Sequence, residues 1–424
     1  MTETTGRPSN RSTIFAWTLF DFANTAFSVI IVTVIFSRYF VKHVTGGQHW
    51  LWGLAVSLSM ICAALLSPPL GAAADFSRHR KRFLFLFTIV CVVCTGLMFF
   101  VQDGMITLGL FLFIIANIGF EGGLVFYDAF LPGITSKNSY GRVSGYGFAM
   151  GYLGALAVLL IVNAMLPPAS DQHYLFFVRL SFVVAGGFFL VFSLPMFLFV
   201  HEPPLTHAPQ QSYFKEGIKR ANTTFRALFV SKEHPSIAKF LIAFFIYNDG
   251  ILTVIAFAAI FAENILHMND SDIIIFFAVV QTSAVLGSLG FGIITDKIGP
   301  KKTISITLII WIAIAIGAYF VTTVTAFYIV ALGAGVAIGS SQSASRSLMA
   351  LLTPKEREAE FFGFYDGLCG KASAVVGPFV YGLISDFFNE RFAVLFIGVF
   401  FVAGLVLLQG VIEPERKLIQ VTES

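Results

Sequence analysis

The sequence predicts an all-α integral membrane protein of twelve transmembrane helices in two six-helix bundles. Three observations predict it. Of the 424 residues, 57% are hydrophobic and only 12% charged, against roughly 25% charged in a soluble domain. Twelve apolar runs of about 20 residues suit helices that cross a bilayer. One short motif is carried twice, 221 residues apart: Gly71-Ala-Ala-Ala-Asp75 and Gly292-Ile-Ile-Thr-Asp296.

The runs fall into two sets. The first six cover residues 13–40, 50–74, 83–101, 105–130, 141–166 and 174–200. A polar segment follows. The second six cover residues 237–266, 273–295, 303–321, 326–352, 361–387 and 392–412. The domain reading is therefore a first bundle over 1–200, a cytoplasmic linker over 201–235 and a second bundle over 236–424. Residues 1–12 are polar and carry no cleavable signal pattern, and the first run is too long for a signal peptide. It reads as a retained span.

Charge sets the orientation. With both termini inside, 21 of the 27 Lys and Arg fall on the cytoplasmic side. Such a bias predicts cytoplasmic N- and C-termini, in a multi-pass protein of the cell (inner) membrane. The net charge of +3 gives no reason to expect a nucleic-acid partner.

Each copy of the motif closes the second run of its half. Gly71 and Gly292 remove side-chain bulk, so a neighbouring helix can come close. Asp75 and Asp296 sit where hydrocarbon meets water and can accept from the start of a neighbouring helix. Arg78, Arg80, Lys81 and Arg82 follow the first copy; Lys297, Lys301 and Lys302 follow the second. One copy alone could be an ordinary helix end with a positive flank. Two copies at matching places favour a conformational role for Gly71, Asp75, Gly292 and Asp296.

Other segments repeat in parallel. Ile134-Thr-Ser-Lys137 returns as Leu352-Thr-Pro-Lys355, and Gly145 maps to Gly363 at the same offset of 218. With these residues the chain resembles the major facilitator superfamily. A narrower resemblance rests on Trp17-Thr-Leu-Phe-Asp21-Phe-Ala-Asn24, Tyr247-Asn-Asp-Gly250, Gln342-Ser-Ala-Ser-Arg346-Ser, and Glu360-Phe-Phe-Gly-Phe-Tyr-Asp366 with Gly370-Lys371. These are similar to motifs of the vacuole-effluxer-like family. The match covers nearly the whole chain. One departure is Tyr127-Asp128, where Tyr-Asn is expected; it adds a carboxylate. The resemblance implies alternating access between two halves, with helices 1, 4, 7 and 10 lining a central cavity.

Charged residues inside spans are expensive and usually functional. The spans hold Asp21, Glu121, Asp128, Asp249 and Asp366 against Arg346 and Lys371. One-to-one pairing would leave three acids over. Burial favours the neutral form of an unpaired carboxylate, so it can exchange protons. All eight histidines lie in loops or at span ends. Carboxylates must then carry any coupled proton: Asp249 foremost, with Asp21 and Asp366. Asp249 is deep, and Asn248 and Lys371 are its expected partners. The expected substrate contacts are Asp21, Asn24, Glu121, Asp128, Asn248, Asp249, Gln342, Arg346 and Lys371. Structural readings stand beside these. Asp21 could be an end-of-helix charge, Arg346 a gate, and Lys371 a structural ion-pair partner. Glu121 lies beside Gly122 and Gly123, which suggests a broken or closely packed helix. Phe is abundant, 49 residues, and is expected to cover lipid-facing surface rather than to form aromatic ligand boxes.

An amphoteric cavity suits a small zwitterion such as an amino acid. A sugar–cation symporter also fits Asp and Asn pairs in these helices. A non-transporting or lipid-handling membrane protein of the same fold is the other class. An intramembrane enzyme fits poorly: the spans contain no histidine metal pattern and no nucleophile beside a base. No cofactor or metal is expected. Cys91-Val-Val-Cys94 lacks a second pair and reads as small packing residues. The expected partners are a small-molecule substrate, a proton and the lipid bilayer, with the protein a monomer.

Overall fold

The computed structural model describes residues 10–168, 170–202, 213–268, 270–374 and 376–414. Part of the linker and both chain ends lie outside the described residues. The first half holds α1 (Arg11–Val44), α2 (His49–Ser77), α3 (Arg80–Phe100), α4 (Ile106–Ile134), α5 (Lys137–Met165) and α6 (Tyr174–Phe199). A linker helix, Tyr213–Phe229, follows. The second half holds α7 (Pro235–Leu266), α8 (Asp270–Ile298), α9 (Pro300–Phe320) and α10 (Val324–Leu352). It ends with α11, in the pieces Glu358–Phe362, Gly363–Gly370 and Val376–Phe387, and α12 (Glu390–Gln409).

Eleven of these described helices are long and apolar enough to cross a membrane unaided. The exception is α11. Glu358, Glu360, Asp366 and Lys371 dilute its apolar character, and Gly363, Gly367 and Gly370 weaken regular winding. Residues Gly363–Gly370 are π-helical, a geometry that gathers at functional sites. The helix then breaks before Val376. It holds its place because its charges are paired inside the protein, which is where broken helices are tolerated in a bilayer. Two stretches of α1 are also π-helical, Ser28–Val34 and Phe40–Val44.

Helix ends follow local chemistry. Asn389 and Thr323 accept from the first-turn amides of Phe392 and Ala326, as N-caps do. After each motif copy the chain turns through a positive-φ residue, Arg78 at 49° and Gly299 at 96°. Glu202 and Glu413 then close the two bundles alike. Glu202 accepts from the amides of Arg80 and Lys81 at the start of α3. Glu413 accepts from Lys301 at the start of α9. Burial pushes the Glu202 carboxyl up, against the pull of those two amides.

Part of the phenylalanine lies in the core. Phe20, Phe27, Phe36, Phe40, Phe113, Phe126 and Phe182 are fully buried. They stack within the first bundle, as in Phe36 with Phe113 and Phe182. Aromatic pairing adds to burial, so these rings serve the bundle core as well as the lipid face.

The halves meet where the sequence repeats. A Cβ on Gly71 would lie 2.7 Å from the Ala359 carbonyl carbon. One on Gly292 would lie 2.9 Å from the Gly141 carbonyl oxygen. No real Cβ tolerates such contacts, so both motif glycines are required for this approach. Gly119 and Gly122 likewise press α4 onto Phe87 and Cys91 of α3. Helix α4 is continuous through Glu121, so its glycines serve close packing and not a break.

Candidate functional site

The buried charges form three tiers between the linker-bearing end and mid-membrane. The outermost tier is the two motif aspartates. Asp75 accepts from the amides of Ala359 (3.1 Å) and Glu360 (2.8 Å) in the first turn of α11. Asp296 accepts from the amides of Gly141 (2.8 Å) and Arg142 (3.3 Å) in the first turn of α5. The recipients are 218 residues apart, the offset read from the sequence. Each aspartate thus caps the fifth helix of the opposite half, where amides are unpaired and the helix dipole favours an anion. Arg80 joins Asp75 at 2.5 Å and also pairs with Glu358. Arg142 joins Asp296 at 2.6 Å.

The second tier centres on Arg346 of α10, 2% exposed. Its Nη1 donates to Asp128 at 2.7 Å and to Asp21 at 3.3 Å. Its Nε donates to the Ser144 hydroxyl at 3.0 Å, and Nη2 to the Ser144 carbonyl at 3.1 Å. The guanidinium lies over the rings of Phe148, Trp17 and Tyr127. Tyr127 donates its hydroxyl to Asp21 at 2.8 Å, and Trp17 stacks on Tyr127. Asn24 reaches Asp21 from one turn further along α1. One cation of α10 thereby ties down α1, α4 and α5.

The third tier is Lys371 of α11. It pairs with Glu121 of α4, across the halves, and with Asp366 at 3.3 Å on its own helix. Beside this tier, Asn248 donates to the Ser373 hydroxyl at 2.7 Å and accepts from Gln342 at 3.2 Å. Both carboxylate oxygens of Asp249 accept from the amide of Gly377, at 2.9 and 2.8 Å. Gly377 begins the outer piece of α11, so Asp249 caps the broken helix from α7.

Three sequence expectations need correction. Five acids do not leave three over. Arg346 takes two, from α1 and α4, and Lys371 takes two, one from α4 and one from its own helix. Among the described residues only Asp249 of the five has no cationic partner. Lys371 does not pair with Asp249; the π-helical turn places it toward α4. Asn248 does not bond Asp249 either. Adjacent residues on a helix point about 100° apart; Asn248 meets Gln342 and Ser373, while Asp249 meets Gly377. Sequence reasoning also passed over Trp17, Tyr127, Ser144 and Phe148 as partners of Arg346. Trp17 and Tyr127 stood within the family-like motifs and could have been found there. Ser144 and Phe148, on α5, carried no such signal.

The inter-half bonds named above lie between the linker-bearing end and the depth of Lys371. In this conformation that end is closed. The fold, two six-helix halves with crossed motif contacts, is that of a major facilitator transporter. It aligns with the proton:xylose symporter XylE at a TM-score of 0.74 and 14% identity, over 95% of this chain and 96% of that one. It aligns with FucP in the outward conformation at 0.72 and 13%, over 96% and 100%. The model of the vacuole effluxer Atg22-like family matches residues 52–420. The chain belongs to that family. Among its relatives, the uncharacterized MFS-type transporter YxiO of Bacillus subtilis is 29% identical over 96% of both chains. Autophagy-related protein 22 of Yarrowia lipolytica is 26% identical, over 78% of this chain and 70% of that protein.

Proposed function

We propose that the protein is a proton-coupled secondary transporter of a small zwitterion, an amino acid or a similar solute, with Asp249 as proton carrier. The observation that carries this reading is the exception among the five acids. Asp249 is 1% exposed and, among the described residues, meets no cation. Among the described residues, its carboxylate accepts from the Gly377 amide. A proton on Asp249 weakens that cap, because a neutral carboxyl accepts less strongly than a carboxylate. The outer piece of α11 then loses its anchor to α7. Proton uptake is coupled in this way to movement of a helix that also carries Lys371.

The zwitterion reading rests on the third tier. A solute with a carboxylate and an ammonium group can replace Glu121 at Lys371 and Lys371 at Glu121. Charge balance is kept while the inter-half contact is released. Loss of an ion pair without such replacement leaves buried charge uncompensated, at a cost of about 3–5 kcal/mol. Binding of the right solute therefore favours separation of α4 from α11. Asp21, Asp128 and Arg346 satisfy one another at the closed end and serve as its gate in this conformation. Asn248, Gln342 and Ser373 supply hydroxyl- and amide-compatible contacts beside Lys371.

The test is counterflow with purified protein in vesicles, against labelled amino acids, dipeptides and sugars. Exchange of an amino acid that is lost in Lys371→Met supports the reading. Exchange of sugars alone places the substrate at the Asn248–Gln342–Ser373 cluster and overturns the zwitterion reading. Retention of none of the panel points to the non-transporting class.

A further inference from the structure

The linker helix has three faces. One docks on α2: Gly217, Ala221, Thr224 and Leu228 are buried. Gly217 has no room for a Cβ beneath the Pro69 carbonyl and Ala73. Pro69 is two turns inside a membrane-spanning helix, so the linker helix lies level with the bilayer boundary. Its buried face also reaches across the halves. The Thr224 hydroxyl bonds Glu360 at the start of α11, and Arg357 bonds both Thr224 and Glu360. The linker helix thereby clamps the end that Asp75 caps.

The second face is exposed and apolar. Phe214, Ile218 and Phe225 are 52%, 47% and 45% exposed. At about 100° per residue they fall within roughly 40° of each other. The third face adjoins it and is cationic: Lys215, Lys219 and Arg226 are all exposed and form one ridge. An apolar stripe flanked by a basic ridge is the pattern of a helix lying in a membrane surface.

We infer that the linker helix is a membrane-surface latch, seated on anionic phospholipid. Phe214, Ile218 and Phe225 enter the acyl boundary, and Lys215, Lys219 and Arg226 bind headgroup phosphates. Basic residues near an anionic surface are attracted to it, so three make the seat sensitive to lipid charge. Because Thr224 on the same helix holds Glu360, anionic lipid favours the state closed at this end.

The experiment uses the full chain. The four native cysteines are replaced, and a polarity-sensitive dye is attached at Ile218→Cys. The protein is reconstituted in phosphatidylcholine vesicles with or without phosphatidylglycerol, with spin-labelled acyl chains as quencher. Quenching is expected to rise several-fold with phosphatidylglycerol. It is expected to fall back in Lys215→Gln/Lys219→Gln/Arg226→Gln and to persist in Lys215→Arg/Lys219→Arg, which keeps the charge and controls for folding. Inorganic phosphate in the buffer is expected not to replace the lipid. Equal quenching with and without phosphatidylglycerol, or in the glutamine variant, would overturn the anionic-lipid seat. Absence of quenching in every vesicle would overturn the membrane seat and leave the apolar stripe to a protein partner.

Discussion

Arg346 and Asp128 form a buried ion pair across the two halves, 2.7 Å from Nη1 to Oδ1. The pair does not stand alone, since Asp21 and Ser144 occupy the rest of the guanidinium. Arg346→Ala would leave two carboxylates uncompensated in the closed gate, and loss of one partner of a buried pair costs about 3–5 kcal/mol. The gate should therefore open. Ser347 is a suitable reporter: it is fully buried and donates across the halves to the Tyr140 carbonyl. In a background without native cysteines, alkylation of Ser347→Cys should rise at least about tenfold with Arg346→Ala. Arg346→Lys keeps the charge but not the fork and should fall between. Unchanged alkylation would show that Arg346 does not hold the gate.

The motif residues should act on the same equilibrium and not on substrate affinity. Asp75→Ala removes the acceptor for two first-turn amides of α11, and a lost cap costs about 0.5–2 kcal/mol. Alkylation of Ser347→Cys should rise by a few-fold to about thirtyfold. Gly71→Val should act in the same direction, since its side chain would meet the Ala359 backbone. Half-saturation in counterflow should stay within about twofold. A large change in affinity with unchanged alkylation would assign Asp75 to binding instead.

Lys371 is expected to be worth more than either of its acids. Lys371→Met leaves Glu121 and Asp366 both unpaired, and thermal stability of the purified protein should drop. Adding Glu121→Gln to Lys371→Met should restore part of the loss. Residues in one ion-pair network couple by about 0.5–3 kcal/mol. Strict additivity of the two substitutions would mean that Glu121 and Lys371 do not interact in solution.

Much of this architecture was legible in the sequence, and the reason is periodicity. Hydrophobic run length marked twelve helices, and the 218-residue offset marked which helix starts would correspond. The crossed caps of Asp75 and Asp296 fall on residues related by that offset. Pairing inside the membrane was less legible. Which carboxylate meets Lys371 depends on the π-helical turn over Gly363–Gly370 and on the rotation it gives α11. No local pattern encodes that rotation. The break before Val376 was hidden too, because residues 361–387 read as one apolar run. Asp249 stood out by depth in the sequence. Its distinction from the other four acids required knowing that each cation takes two of them.

Orientation is carried by charge alone and has its own check. Reporter fusions after Ser212 and after Ser424 should both read cytoplasmic, since 21 of the 27 Lys and Arg fall on that side in the twelve-span arrangement. An external reading from either would break the twelve-span count.

The central claim is that Asp249 carries the coupling proton, and paired transport assays test it directly. The solute identified by counterflow is followed in vesicles with an imposed pH gradient, for wild type and Asp249→Asn. The substitution mimics the protonated state and removes the charge from the Gly377 cap. Wild type should accumulate solute on the gradient and lose that accumulation with a protonophore. Asp249→Asn should lose pH-driven accumulation yet keep counterflow exchange, because binding survives when proton release is blocked. Accumulation by Asp249→Asn on the gradient, or wild-type accumulation that follows sodium and ignores pH, would contradict the account.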